Sequence, residues 1–107
     1  MLSWEAIDGS NRVDVFEINA GGNDLYHGTF DGTKWTESAK LAGGGGWDRI
    51  CGVRHYKAGQ MPAPYEVEHF LVVGIAINGG MAGAWYDLNN NLLGGQIWPL
   101  GVGNYKL

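Results

Sequence analysis

Apolar residues recur at alternate positions over short spans of this chain, and glycine, asparagine and aspartate separate the spans. Arg12 to Ile18, RVDVFEI, alternates partly and is rich in β-branched and aromatic residues, so it reads as a strand. Leu25 to Phe30 reads as the next strand. Asp31-Gly32 then reads as a two-residue hairpin turn, because both residues tolerate a positive φ. Thr33, Lys34 and Trp35 begin the returning strand, and Thr36 to Leu41 completes it. A short strand over residues 3–7, SWEAI, precedes the turn Asp8-Gly9-Ser10-Asn11. Four short strands are therefore expected before the glycine run at 43–46.

The second half reads in a similar way. Arg49 to Tyr56 is a strand, and Lys57 to Pro64 is a loop whose prolines at 62 and 64 exclude it from a central sheet position. Glu66 to Ile77 is the most apolar stretch and is expected as a central strand buried on both faces. Asn78-Gly79-Gly80 turns the chain into a strand over Met81 to Leu88. Asn89 to Asn91 turns it again into Leu92 to Trp98, and the tail GVGNYKL offers a last strand. No segment carries a convincing helical period. By composition Gly43 to Gly46 is a flexible linker, but its place directly before Trp47-Asp48 favours a tight connection between backbones.

The two halves can be matched. Trp4-Glu5-Ala6-Ile7 aligns with Ile50-Cys51-Gly52-Val53, and Arg12 to Ile18 with His69 to Ile75. Gly21-Gly22 aligns with Gly79-Gly80, Phe30-Asp31 with Tyr86-Asp87, and Trp35 with Trp98. The 107 residues then form one small domain, with blade-like repeats over 1–42 and 47–107. A repeat of four short strands is the pattern of a propeller blade. Two blades cannot close a ring, so the expected fold is all-β, with two four-stranded blades per chain and the ring completed by oligomerisation. Three chains would make six blades.

Composition narrows the partners. Charged residues are 17% and glycines number 19, with five tryptophans, which favours short strands and aromatic surfaces. The formal charge is −4 and Lys and Arg do not cluster, so nucleic-acid binding is not expected. Cys51 is the single cysteine, which rules out an intrachain disulfide and reads as a buried apolar position. The longest apolar run, Phe70 to Ile77, is too short for a membrane-spanning helix, so no membrane insertion is expected. MLSWEAIDGS does not read as a signal peptide, so cytoplasmic synthesis is expected, with any release by a leaderless route.

The motifs Ser3-Trp4, Arg12-Val13-Asp14-Val15-Phe16, Leu25-Tyr26-His27 and Phe30-Asp31-Gly32-Thr33-Lys34-Trp35 resemble the repeat of sugar-binding β-propeller lectins of bacteria and fungi. The resemblance covers residues 3–41 well and 48–98 loosely. Residues 39–50, AKLAGGGGWDRI, are similar to the Gly-Gly-Trp-Asp joint of tachylectin-type propellers. The two-blade length is similar to small fucose-binding lectins that assemble as trimers. The resemblance implies a lectin that clamps sugar with an Arg, a Glu and a Trp. Arg12 stands at the Arg position, whereas His27 and Gly83 stand at the Glu positions. It therefore implies glycan partners of fucose or galactose type, a homotrimer, no cofactor and no catalysis.

Read from the residues, sugar recognition needs an aromatic face for ring C–H groups and directed polar groups for hydroxyls. Trp47, Trp85 and Asp87 are the leading candidates, joined by Arg12 and by Arg54 beside the proline loop. Arg12 could instead pair with Asp14 or Asp31. Trp4 and Trp35 read as packing residues, and His27 as making a structural hydrogen bond. The carboxylates Glu5, Asp8, Asp14, Glu17, Glu66 and Glu68 are scattered, which argues against a glycoside hydrolase. Two alternatives stand beside the lectin. One is a structural or interaction module. The other is a small metal-dependent β-barrel enzyme using His55, Glu66, Glu68 and His69, although its usual His-x-His before the Glu is missing.

Overall fold

The computed structural model describes residues 2–6, 12–19, 21–42 and 45–97. These form eight strands: β1 (Leu2–Ala6), β2 (Val13–Ile18), β3 (Leu25–Phe30), β4 (Trp35–Lys40), β5 (Trp47–Tyr56), β6 (His69–Ala76), β7 (Met81–Asp87) and β8 (Leu92–Ile97). They make two antiparallel four-stranded sheets in simple sequence order, β1 to β4 and β5 to β8. The all-β expectation and the break between the halves are thus both present. The expected tail strand, the first turn and Trp98 lie outside the described residues.

Local chemistry places the turns. Gly21 to Asp24 reverses the chain with Asn23 at φ 56°, and Asn19 O accepts from Asn23 N at 3.0 Å. The β3–β4 connection is not the expected two-residue turn. Phe30 pairs with Trp35, which leaves a four-residue loop closed by Asp31 N donating to Lys34 O at 3.2 Å. Within it, Asp31 Oδ1 accepts from Thr33 N at 2.8 Å and Lys34 N at 2.6 Å, while Gly32 takes φ 99°. The aspartate side chain satisfies two loop N–H groups, and that favours the longer loop.

The end of the glycine run is tied down. Trp47 N donates to Asn23 O at 3.0 Å, and Asn23 Nδ2 donates to Trp47 O at 2.9 Å. The second sheet is therefore anchored where it begins to the β2–β3 turn of the first. β5 carries register shifts between Trp47 and Arg49 and between Ile50 and Gly52. Between the two, opposite Ile50, Gly74 is required: a Cβ there would lie 2.1 Å from Arg49 O.

The sheets pack face to face over one core. The first sheet contributes Phe16 and Leu25, and Leu41 joins from just past β4. The second contributes Trp47, Ile50, Phe70, Val72, Ala76, Ala82, Ala84 and Tyr86. Phe70 meets Phe16 edge-on at 5.3 Å between ring centroids. Tyr86, fully buried, donates its hydroxyl to Ala42 O at 3.0 Å, and burial pushes its pKa up to about 12.

The registers show how the repeats relate. Ile18 pairs with Leu25, and Ile75 pairs with Met81. Arg12 to Ile18 thus corresponds to His69 to Ile75, in agreement with the sequence match. Trp4 pairs with Val15, and Val53 pairs with Val72, the counterpart of Val15. Trp4 therefore corresponds to Val53 and not to Ile50, because the bulges in β5 displace the match. The packed faces are not equivalent. The first sheet packs through Phe16 and Leu25, whose counterparts are Val73 and Met81. The second sheet packs through Phe70 and Val72, on its other face. β6 accordingly packs on the first sheet through one face only; on the other face His69 is buried, Leu71 and Ile75 are half-buried, and Val73 remains 39% exposed.

The core makes two truncations informative. Phe70→Ala should cost about 3–5 kcal/mol, the scale of an aromatic cavity. Tyr86→Phe should cost about 1 kcal/mol, the scale of one hydrogen bond. Urea unfolding of both variants checks the ratio.

Candidate functional site

A buried polar cluster lies at the junction of the two sheets. Asp14 projects from β2 with the core residue Phe16, because alternate residues of a strand share a face. It is fully buried, and its Oδ1 accepts from Arg12 Nη2 at 2.8 Å and Nε at 3.2 Å. His27 Nε2 lies 2.8 Å from the same oxygen. The other ring nitrogen of His27, Nδ1, lies 2.5 Å from the side-chain amide oxygen of Asn90, in the β7–β8 turn of the second sheet. The imidazole stacks on Phe16 at 4.5 Å and 7°. Asp14 Oδ2 is buried with no hydrogen-bond partner among the described residues.

Next to this cluster is a cavity of about 300 Å³. The first sheet lines it with Arg12, His27, Thr29, Thr36 and Ala39, and the loop adds Asp31. The second sheet lines it with Leu88 and Asn90. Thr29 pairs with Thr36 and His27 with Ala39, so these four share one face. The cavity offers guanidinium and amide donors, hydroxyls, a carboxylate and one apolar wall. Asp31 keeps its charge well, since N–H donors from Lys34 and Thr33 hold its carboxyl below the ordinary value of 3.8.

The sequence candidates do not converge on one place. Arg12 lines the cavity, and the pairing with Asp14 raised for it is present. His27 makes hydrogen bonds within and between the sheets. Trp47 is corrected: it is 2% exposed and belongs to the core, so it has no open face for stacking a ligand. Asp87 serves its own turn, accepting at Oδ1 from Asn89 N and Asn91 N, each at 2.9 Å, and at Oδ2 from Asn91 Nδ2 at 3.0 Å. Partial burial raises its pKa, but the bonds from Asn91 and Asn89 outweigh that and leave it lowered.

Arg54 and Trp85 lie on the other face of the second sheet. The Arg54 guanidinium sits 4.7 Å over Tyr56, which stacks on His69 at 4.9 Å. Trp85 leans on Tyr65 at 5.3 Å, and its indole Nε1 is buried with no hydrogen-bond partner among the described residues. The residues raised for a metal centre are apart in role. His55 Nε2 pairs with Glu68 at 2.6 Å, and His69 Nδ1 bonds to Val67 O at 2.6 Å. Among the described residues no three His, Cys, Asp or Glu side chains gather as a metal site would need.

Sequence reasoning missed Thr29, Thr36, Leu88 and Asn90. The threonines carry a legible signal, since they lie at the strand positions beside the Asp31 loop. Asn90 reads only as a turn residue, and its reach to His27 depends on how the sheets stack. No protein-family model, curated protein or solved structure matches this chain.

The lowered carboxyls predict an acid limit to stability. Folding holds Asp31 and Asp87 below their unfolded pKa, near 3.8, so their contribution is complete above that value and is lost as the pH falls through the folded pKa. The urea midpoint should drop below about pH 4, the ordinary aspartate range, and Asp87→Asn should flatten part of that drop.

Proposed function

We propose that this chain is a carbohydrate-binding protein, and that its two sheets are blades of a propeller completed by further copies. The cavity between the sheets is the observation that carries this reading. A sugar hydroxyl donates one hydrogen bond and accepts others, so a sugar site needs donors and acceptors set around a small volume. Arg12 and Asn90 can donate, Asp31 can accept, and Thr29 and Thr36 can do both. Leu88 offers an apolar wall to the C–H face of a ring. About 300 Å³ is enough for a single sugar unit and excludes a large polymer from the interior. Binding is the proposed activity, with no bond made or broken.

The blade reading draws support from the packed faces. In a propeller every blade meets its neighbours through opposite faces, so each junction repeats the last by a rotation. The two sheets here meet through opposite faces of the repeat. A head-to-tail contact of that kind generates rings when the rotation closes. Three chains would place six blades around the axis, within the usual range for propellers. Several weak sites on one ring then bind dense glycans by avidity.

A glycan array and native mass spectrometry test the reading together. The wild-type chain should give sugar-dependent signal and a closed multiple of its mass. Arg12→Ala should weaken binding by about 1–3 kcal/mol, the scale of leaving a buried polar partner unsatisfied, and keep the assembly. A folded chain that binds no glycan on a broad array would sink the proposal. Loss of assembly in Arg12→Ala would make the Arg12–Asp14 pair a structural clamp alone.

A further inference from the structure

Among the described residues, the part of the second sheet's other face that carries Leu71, Val73, Met81 and Gly83 has no sheet over it, and it can be compared with the packed face of the first. By register, Phe16, Leu25 and His27 correspond to Val73, Met81 and Gly83. Asp14 and Thr29 likewise correspond to Leu71 and Trp85. In the first sheet this face is covered, with Phe16 and His27 both against Phe70. In the second sheet the counterparts line an apolar groove of about 320 Å³. The charged and polar positions have become Leu71 and Gly83. The pair that binds Arg12 and reaches Asn90 in the first junction therefore has no counterpart in the groove.

The opposite end of the stack has the complementary face. Phe70, Val72 and Tyr86 cover the first sheet, and their counterparts are Val13, Val15 and Phe30. Val15 is buried yet stands outside the core cluster, as expected for a residue on the other face. Trp35 pairs with Phe30 on that face and is 47% exposed, with its ring next to Gly28. A large indole exposed on one end and an apolar groove open at the other are an unfavourable combination for a solitary chain. The junction inside the chain already shows which face covers which.

Resting on the blade reading above, we propose that the groove is the seat for a second copy of this chain, which lays the Trp35 face of its first sheet into it, and that the junction between chains holds no second ligand site. The repeat has divided its labour. One junction keeps the polar cluster and the cavity, and the other has exchanged them for apolar contact. Each chain then carries one site, even though it carries two blades.

Paired variants test the seat. Leu71→Asp spoils the groove and leaves the Trp35 face intact, whereas Trp35→Glu does the reverse. Each alone should lose the wild-type assembly and run as a monomer in native mass spectrometry. Mixed, they should form a dimer and nothing larger, since only one good groove meets one good face. A misfolded variant could not pair, so the mixture is its own folding control. Cys51 lines the groove and is exposed in the single chain, so maleimide should label it readily in Leu71→Asp and slowly in the wild-type assembly. Variants that keep the wild-type mass, or Cys51 equally reactive in both, would overturn the seat while leaving the ring itself standing. A monomeric wild type would overturn both. Titration with methyl α-L-fucoside and methyl β-D-galactoside should saturate at one equivalent per chain, and two equivalents would refute the single site. If no glycan of the broad array binds while the mixed dimer forms, the carbohydrate reading fails and the seat stands.

Discussion

The contact of Phe70 with Phe16 and His27 is the point on which the two sheets depend. A four-stranded sheet of short strands cannot bury enough apolar surface by itself, so each half needs the other. Phe70 brings an aromatic edge onto the stacked pair formed by Phe16 and His27. On its own sheet it is flanked by His55, at 5.3 Å. The ring packing leaves His27 no room to turn toward water, so both its nitrogens must find partners inside. Asp14 and Asn90 supply them, one from each sheet.

That constraint explains why polar chemistry sits at the junction. Asp14 is a fully buried carboxylate, and such a charge is costly without partners. Arg12 and His27 partner one oxygen, and the arrangement holds Arg12 at the rim of the cavity. A long flexible cation in solvent would be a poor recognition group. Held by Asp14, it is preorganised, and in the proposed sugar site less side-chain freedom would be lost on binding. The core contact, the buried pair and the cavity thus form one connected structure.

The open faces follow from the same packing. Because the sheets meet through opposite faces of the repeat, one face of each remains. The first presents Trp35, and the second presents Leu71, Val73, Met81 and Trp85. A symmetric sandwich, in which like faces met, would not allow the proposed head-to-tail contact. The low charge of the chain is in keeping with the proposed contact between copies, since charged residues are depleted from the buried centre of interfaces.

The sequence by itself determined the strands and most of the turns. Alternation in RVDVFEI and LYHGTF, and the glycine, asparagine and aspartate between them, are local signals with local causes. The repeat was legible in part: the match of Arg12 to Ile18 with His69 to Ile75 follows the register, whereas the bulges in β5 displace the match of Trp4. What the sequence could not decide was the direction of each tryptophan. Trp47 follows a glycine run, as an exposed loop residue would, yet asparagine contacts from the first sheet draw it into the core. Nor could alternation show which face of β6 packs on the first sheet, since Phe70 and Val72 on one face and Leu71 and Val73 on the other are all apolar. Asn90 reads as a turn residue, and only the stacking of one sheet on the other carries it to His27, 63 positions away. Such contacts depend on the relative placement of two sheets, which no short window of the chain encodes.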